Sequence, residues 1–347
     1  MNVTPPLVSV VLPVFNAGPY LQETVESILR QTLQDFELII VDDYSTDNSL
    51  AIAKQYEATY PQRVRVLALP HNLGRSYADN RGHELARGRY IAKMDADDVA
   101  LPERLQTQAA FLESHPEIDL TSSFLQAFGV SSLVYTYPIS FDEVKSFLLF
   151  NMPVGNPSVF FRRSLLTSHN LHYDEDILDT FGEDYEFITR VAKVATIVNQ
   201  PQSLVRYRTF PATRKADVHA RRTAKADLIR ARLLEQAGFH YTQHELAVHN
   251  TVAQYPYAQV GIALPEVQAW LTSLIQQNQQ LNYAASTVFQ KVVAERWFWA
   301  CYYQPDPQVN SHQAFHRAAF AACYQPPMQL ALKLWIKNTI TRHFNRK

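Results

Sequence analysis

The chain has very little cysteine, with two cysteines, Cys301 and Cys323, among its 347 residues. They form no CxxC pair, so neither a disulfide framework nor a thiolate zinc site is indicated, and a reducing compartment is expected. An excess of one charge is also lacking, because 32 Lys and Arg stand against 33 Asp and Glu. Without a basic excess, we expect no nucleic-acid partner.

Long apolar runs are missing too, since none reaches the roughly 18 residues that a membrane-spanning helix needs. No basic segment precedes the first apolar stretch, 7–14, which is short and contains Pro13. Such a stretch is typical of a strand rather than a signal peptide, and we expect a cytoplasmic protein. With 47% hydrophobic and 19% charged residues, the composition is that of a globular protein.

Strand and helix signals alternate through the first hundred residues. Apolar runs of strand length lie at 8–14, 36–41, 64–69 and 90–94. Helices are predicted between these strands at 20–31 and at 77–86. Another helix is predicted to start from an N-cap at Ser45 or Thr46 and to continue through Tyr56. A fourth helix is predicted to have Pro102 in its first turn. This alternation predicts an α/β fold with a mostly parallel, doubly wound, Rossmann-like sheet.

The second half of the chain changes character near residue 212. Further strands are predicted at 119–128 and 156–161, and further helices at 141–150 and 185–194. From Arg206 to Arg232 there are nine Lys or Arg and two acids, and the rest of the chain is predicted to be helical. We therefore predict a catalytic domain at 1–212 and a helical carboxyl-terminal region at 213–347.

Polar segments lie at or just after the carboxyl ends of the four predicted strands of the first half. They are Pro13-Val14-Phe15-Asn16, Asp42-Asp43, His71-Asn72-Leu73-Gly74-Arg75 and Asp95-Ala96-Asp97-Asp98. The carboxyl ends of parallel strands lie at one edge of a sheet, where such sheets bind ligands. We therefore expect these segments to converge on one site.

Asp95 and Asp97 have the spacing at which two carboxylates in a loop can share a hard cation. Mg²⁺ and Mn²⁺ prefer a few carboxylates together with phosphate oxygens, and such an ion neutralises a diphosphate leaving group. This spacing is also common in solvated loops, and its position after a strand is what favours a metal site.

Two further acidic pairs admit two interpretations each. Asp42-Asp43 can bind a ribose hydroxyl or a base N–H, or can form the turn before a helix. Glu183-Asp184 can interact with a helix dipole, or can supply a general base; we assign that role to Asp184. Arg75 is predicted to bind a diphosphate through its guanidinium.

Taken in order, these segments resemble the motifs of the family 2 glycosyltransferases over about residues 7–210. The resemblance continues through Asn156-Pro157-Ser158 and Glu183-Asp184-Tyr185. It implies the GT-A fold, a nucleotide-diphosphate sugar donor (a UDP-sugar by preference), a divalent metal and inversion at the anomeric carbon. The implied enzyme transfers a hexose or N-acetylhexosamine to a saccharide or lipid-linked acceptor, as in the synthesis of bacterial surface polysaccharides or glycolipids.

The resemblance also implies roles for individual residues. Phe15 and Asp43 are implied to contact the base, with Asp42 or Asp95 near the ribose, while Asp97 is implied to bind the metal and Asp184 to be the general base. With the reading of the residues added, we expect donor binding at Pro13, Phe15, Asn16, Asp42, Asp43, Asn72, Gly74, Arg75, Asp95 and Ala96. We also expect Asp95 to share the metal with Asp97, and Glu183, Asn156 and Arg208 to lie on the acceptor side.

Three residues depart from the family pattern. Tyr44 stands in place of a common Gly, and Asp79 in place of a frequent Arg, for which Arg75 or Arg81 can substitute. Phe210 replaces a His that is sometimes a metal ligand, which leaves the third ligand open.

The carboxyl-terminal segment 328–347 carries five basic residues and no acid, with Leu332, Ile336, Ile340 and Phe344 four residues apart. It is predicted to pack on its own domain or, as the second interpretation, to lie on anionic lipid at the inner face of the cytoplasmic membrane. The alternative to an enzyme is a non-catalytic subunit that binds a sugar nucleotide or a glycan.

Overall fold

A computed structural model of the chain describes residues 4–175, 182–211, 216–254, 263–306 and 308–344. Two compact units make up the chain, one of residues 1–141 and 153–225, the other of residues 142–152 and 226–347. The predicted boundary at Ala212 lies outside the described residues, so it stays a prediction.

The secondary structure alternates strands and helices in the first half and is helical in the second. The strands are β1 (Val8–Val14), β2 (Phe36–Asp42), β3 (Val64–Ala68), β4 (Tyr90–Lys93), β5 (Val99–Ala100), β6 (Leu120–Gly129), β7 (Val134–Tyr135), β8 (Phe160–Arg162) and β9 (Ile197–Thr209). The helices are α1 (Gly18–Leu29), α2 (Ser49–Thr59), α3 (Arg75–Leu85), α4 (Arg104–Ser114), α5 (Phe141–Leu148), α6 (Ser164–Ser168), α7 (Glu183–Val194), α8 (Ala216–Gln236), α9 (Gln243–Ala253), α10 (Leu264–Leu281), α11 (Ser286–Tyr303), α12 (Ser311–Arg317) and α13 (Met328–Phe344).

One sheet runs through the first unit in the order β3-β2-β1-β4-β8-β6-β9-β5, with β7 paired to β6. The first four strands are parallel to one another, as predicted. Beyond them the sheet is mixed, because β8 is antiparallel to β4 and to β6. The α/β prediction is therefore confirmed, and the parallel part is the part that holds the polar loops.

The core of the first unit forms on both faces of β1 and β2. All seven residues of β2 are buried, as expected of a central parallel strand covered by helices on both sides. Leu21, Val25 and Ile28 of α1 recur at helical spacing and are buried on one face. Each fully buried aliphatic side chain stabilises the fold by about 1.5–3 kcal/mol. This packing holds the carboxyl ends of the strands in place beneath the loops.

Two helices begin later than predicted. The helix assigned to a Ser45 or Thr46 cap begins at Ser49, and Ser45 Oγ instead accepts a hydrogen bond from the Asn16 N–H at 3.0 Å. Pro102 precedes α4, which begins at Arg104, and its carbonyl accepts the Thr32 N–H at 2.8 Å. In both places the residue that was predicted to start a helix instead makes a hydrogen bond to a segment distant in sequence.

Two strand predictions were also incomplete. Residues 156–158 form a 3₁₀ turn, and of the predicted strand 156–161 only 160 and 161 belong to a strand, which continues to Arg162. The long strand β9 was not predicted, because Pro201 and the polar residues around it hide the pattern.

The second unit is helical, as predicted, and is built around aromatic side chains. Trp270, Phe289, Trp297 and Phe298 are all buried. Trp270 Nε1 donates to Nδ1 of buried His249, whose Nε2 lies 2.8 Å from the Leu149 carbonyl. None of the helices, as far as the residues are described, is long and apolar enough to cross a membrane.

Candidate active site

The four polar loops meet around one cavity of about 410 Å³ at the carboxyl edge of β1 to β4. Its lining includes Pro13, Phe15, Asn16, Asp43, Asn72, Gly74, Arg75, Asp95, Ala96 and Asp97, together with Tyr20, which sequence analysis did not find. The expected convergence of these segments is thus observed, whereas the role of each residue stays a prediction. Asp42, Asp184, Glu183, Asn156 and Arg208 do not line this cavity.

Asp42 belongs to the turn rather than to the cavity wall. Its side chain is buried, and Oδ2 accepts the Ser45 N–H at 3.1 Å. The next residue but one, Tyr44, has a left-handed φ of 63°, a conformation that glycine would adopt without strain. The turn-forming interpretation of Asp42 therefore agrees with its contacts.

Asp43 joins the second loop to the third. Its two carboxylate oxygens accept the N–H groups of Leu73 at 2.8 Å and Gly74 at 3.0 Å. Burial raises the pKa of Asp43, and these two hydrogen bonds offset only part of the effect. Gly74 has a φ of 88°, which lets the chain turn directly into α3 at Arg75.

Arg75 stands among carboxylates at the cavity wall. It forms an ion pair with Asp95, and its Nε lies 3.7 Å from Asp79 and 3.9 Å from Glu183. The guanidinium therefore lies beside Asp79, and the substitution of Arg75 or Arg81 for an Arg at position 79 stays a prediction.

Asp98 has a structural role beneath the loop. It is fully buried and accepts the Arg208 N–H at 2.7 Å. Burial, with the negative charges of Asp95 and Asp97, raises the pKa of Asp98 to about 9. Arg208 Nε donates to the Asp97 carbonyl at 2.8 Å, which fixes the loop from outside the cavity.

Asp95 and Asp97 fit a metal that is held jointly with a phosphate ligand. Both side chains line the cavity. Among the described residues no group of three His, Cys, Asp or Glu is placed to bind a metal, and the Phe210 ring packs edge-on against Tyr20 at 5.6 Å. Mg²⁺ is often held by one or two carboxylates and substrate phosphates, and this donor set matches that pattern.

Glu183 and Asp184 are the first two residues of helix α7, and their environments shift their pKa values in opposite directions. Asp184 Oδ1 lies 2.8 Å from Lys93 Nζ. Burial opposes the charge of Asp184, but Lys93 and Arg75 outweigh it and lower the pKa of that carboxyl. At Glu183, burial and the neighbouring Asp184 raise the pKa to about 7. Asp184 is therefore the acid that stays ionised.

Sequence analysis missed Lys93 and Tyr173, which contact Asp184. Lys93 is a charged residue inside the buried strand β4, and a charge within an apolar run is the sequence signal that could have identified it. Tyr173 lies 80 positions further along the chain, and no local pattern marks it. Asn156 lies in the 3₁₀ turn, away from the cavity lining.

Parts of the chain are similar to known proteins. Residues 9–167 match the family described as Glycosyl transferase family 2. An uncharacterized glycosyltransferase of Haemophilus influenzae is 29% identical over 214 residues, which cover 58% of this chain and 65% of that protein. One from Methanocaldococcus jannaschii is 34% identical over 191 residues, 53% of this chain and 64% of its own. The chain thus spans somewhat less than two thirds of the length of these two relatives.

Two further proteins extend the comparison. The amylovoran biosynthesis glycosyltransferase AmsE of Erwinia amylovora is 29% identical over 192 residues, which cover 54% of this chain and 70% of that protein. Among solved structures, S. aureus TarS 1–349 in complex with UDP-GlcNAc superposes with a TM-score of 0.56 at 17% identity, over 98% of this chain and 91% of that one. At that identity the superposition shows the fold alone.

Proposed function

This chain carries a family 2 glycosyltransferase domain with the GT-A fold, and on that premise we propose that it transfers a sugar from a nucleotide-diphosphate sugar to an acceptor hydroxyl with inversion. The observation that carries the proposal is the single cavity that collects Asp43, Arg75, Asp95 and Asp97 from three separate loops. The acceptor is a saccharide or a lipid-linked saccharide of polysaccharide or glycolipid synthesis, which the similarity to AmsE, an amylovoran biosynthesis glycosyltransferase, supports.

The donor is proposed to be a UDP-sugar that carries a hexose or N-acetylhexosamine. The complex of TarS with UDP-GlcNAc supports this choice. Phe15 is half exposed and lines the cavity, where a base can stack on it, and Asp43 lines the same cavity. Arg75 also lines it, and its guanidinium is proposed to bind the diphosphate.

A divalent metal, Mg²⁺ or Mn²⁺, is proposed to be held by Asp95 and Asp97 together with the diphosphate. When bound, it would supply positive charge to the leaving group. Arg75 is proposed to supply a further positive charge beside the diphosphate, because its guanidinium pairs with Asp95 at the cavity wall.

Asp184 is proposed to accept the proton of the acceptor hydroxyl. The acceptor oxygen then forms a bond to the anomeric carbon as the bond to the diphosphate oxygen breaks, and the electron pair leaves with the nucleotide diphosphate. Asp184 is ionised at neutral pH because Lys93 and Arg75 lower its pKa, so it is available as a proton acceptor. Glu183 lies next to it on the acceptor side.

Nucleotide release with a panel of UDP-sugars tests the activity. We expect one donor, in the presence of Mn²⁺, to raise Tm and to release UDP when acceptor glycans are added. A ligand at 100 times its Kd stabilises the folded state by about 2.7 kcal/mol. A rise in Tm without UDP release would favour the non-catalytic binding subunit, and the absence of both with every donor would contradict the proposal.

Peripheral contact with the membrane is proposed for segment 328–347, at the inner face of the cytoplasmic membrane. On α13, Met328, Leu332, Trp335 and Ile336 are exposed, whereas Leu334 is buried. The exposed residues share one helical face, as in helices that bind lipid surfaces. The side chains of residues 338–347, which include Ile340 and Phe344, lie outside the described part.

Co-sedimentation with vesicles tests this contact. We expect the full chain to bind vesicles that contain phosphatidylglycerol, and the double variant Leu332→Ser/Trp335→Ser to lose most of that binding because apolar area is removed. Vesicles of phosphatidylcholine alone control for charge. Equal binding of the double variant, or of a chain without residues 328–347, would contradict the contact.

A further inference from the structure

Lys93 is a buried cation that the transfer reaction, as described so far, does not use directly. Its side chain is fully buried in β4. Nζ donates to the Tyr173 hydroxyl at 2.6 Å and to Asp184 Oδ1 at 2.8 Å, and lies 3.5 Å from Asp79 Oδ2. Burying an ammonium group is strongly unfavourable unless such partners surround it, so a specific benefit is needed to explain this charge.

The charges around Lys93 alternate. Asp79 of α3 is fully buried on one side of it and also faces Arg75 at 3.7 Å. Asp184 lies on the other side, and its carboxylate also hydrogen-bonds with Tyr173. Tyr173 is held in turn by stacking on Phe187 of α7, with ring centroids 4.3 Å apart. Lys93 therefore sits between a carboxylate with no place in the proposed reaction and the proposed base.

We propose that Lys93 is the positioning residue of Asp184: it holds the carboxylate ionised and in one orientation, while Asp79 balances its charge and Tyr173 fixes its Nζ. The inference rests on the proposed function, since it gives Asp184 the role of base. Lys93 also links the proposed base to the predicted metal ligands, because strand β4, which carries Lys93, leads directly into the loop of Asp95 and Asp97.

The backbone of Lys93 is held independently of its side chain. Its N–H donates to the Val159 carbonyl at 2.9 Å, and its carbonyl accepts from Arg104 Nη2 at 2.6 Å. A change of the side chain therefore leaves these strand contacts available, and a variant can separate the charge of Lys93 from the position of β4.

The sign of the effect on pH dependence follows from the groups that face Asp184. These are Lys93 from β4, Arg75 and Asp79 from α3, Tyr173 from the segment that follows α6, and Glu183 from the same helix as Asp184. Lys93 and Arg75 lower the pKa of Asp184, and burial raises it. Loss of Lys93 moves the titration of Asp184 to higher pH, whereas loss of Asp79 moves it to lower pH.

Two variants that remove charges of opposite sign test the inference. In Lys93→Met we expect the acid limb of the pH profile of kcat/KM for UDP release to move to higher pH. At pH 6, kcat falls by about tenfold or more, as expected for a base that is partly protonated, while the KM for the donor is unchanged. In Asp79→Asn, equally buried, the limb moves to lower pH. The ¹³C carboxyl signal of Asp184, assigned with Asp184→Asn, follows the same shifts.

The outcomes separate this role from general damage and from failure of the proposed activity. Shifts in the same direction in both variants, an unchanged Asp184 titration in Lys93→Met, or a moved titration without a moved acid limb would each overturn the inference. If Lys93→Met does not fold, Lys93→Met/Asp79→Asn replaces it, with the titration still expected to rise. A wild-type chain that releases no UDP refutes the proposed function, while the carboxyl titration still decides the ion pair.

Discussion

Replacing Asp184 with Asn is expected to lower kcat for UDP release by about 10²–10⁴, the range that a positioned general base contributes. Donor binding should be retained, because Asp184 does not line the cavity that collects the donor-side residues. Asn keeps an oxygen that can accept from Lys93 but cannot take a proton at neutral pH. Steady-state kinetics and a donor titration by calorimetry measure the two effects separately.

Glu183→Gln is the matched control for this substitution. Glu183 precedes Asp184 in the same helix turn, is buried, and has a pKa raised to about 7, whereas the Asp184 side chain is 20% exposed. We expect a smaller loss of kcat, since the base is the neighbouring carboxylate. A larger loss in Glu183→Gln than in Asp184→Asn would transfer the role of base to Glu183. Thermal unfolding of both variants shows whether either has lost its fold.

Replacing Asp97 with Asn, or removing divalent metal with a chelator, is expected to lower kcat/KM by about 100-fold or more. A metal at a leaving group contributes several kcal/mol, and each 1.4 kcal/mol, roughly, is a factor of ten in rate. The two treatments should not add, because they remove the same interaction. Activity is measured over a Mn²⁺ titration, in which Asp97→Asn should require far more metal.

Asp98→Asn provides the control within the same loop. Burial and its acidic neighbours raise the pKa of Asp98 to about 9, and Asn is nearly isosteric with a carboxyl group. Oδ1 can still accept the Arg208 N–H. We expect little change in Mn²⁺ dependence. An equal loss in both variants would mean that the loop conformation, rather than a ligand at Asp97, sets the metal response.

The sequence predicted the parallel half of the fold because apolar runs and helical spacing are local signals. The four loops could be placed together since parallel strands share one carboxyl edge. The mixed half was harder: β9 contains Pro201 and several polar residues, and its pairing with β6 depends on residues about 80 positions away. Its existence follows from tertiary contacts rather than from its own pattern.

Within the site, the residue types were predictable and their partners were not. Adjacent acids such as Asp42 and Asp43 look equivalent in sequence, yet one is buried in a turn and the other holds the Leu73 and Gly74 amides. Lys93 is read as part of an apolar strand until its contact with Asp184, 91 positions away, is known. Such pairings depend on the packing of α7 against the sheet.

The loops of the site are tied to one another by hydrogen bonds. Asn16 Oδ1 accepts the Thr46 N–H at 2.8 Å, and Asp43 accepts two amides of the third loop. A ligand entering this space therefore meets walls that already have their shape, and little freedom is lost when it binds. For the proposed nucleotide donor, selectivity is then expected to come from rigidity as much as from contacts, and a change at Asn16 is expected to broaden the choice of donor before it abolishes binding.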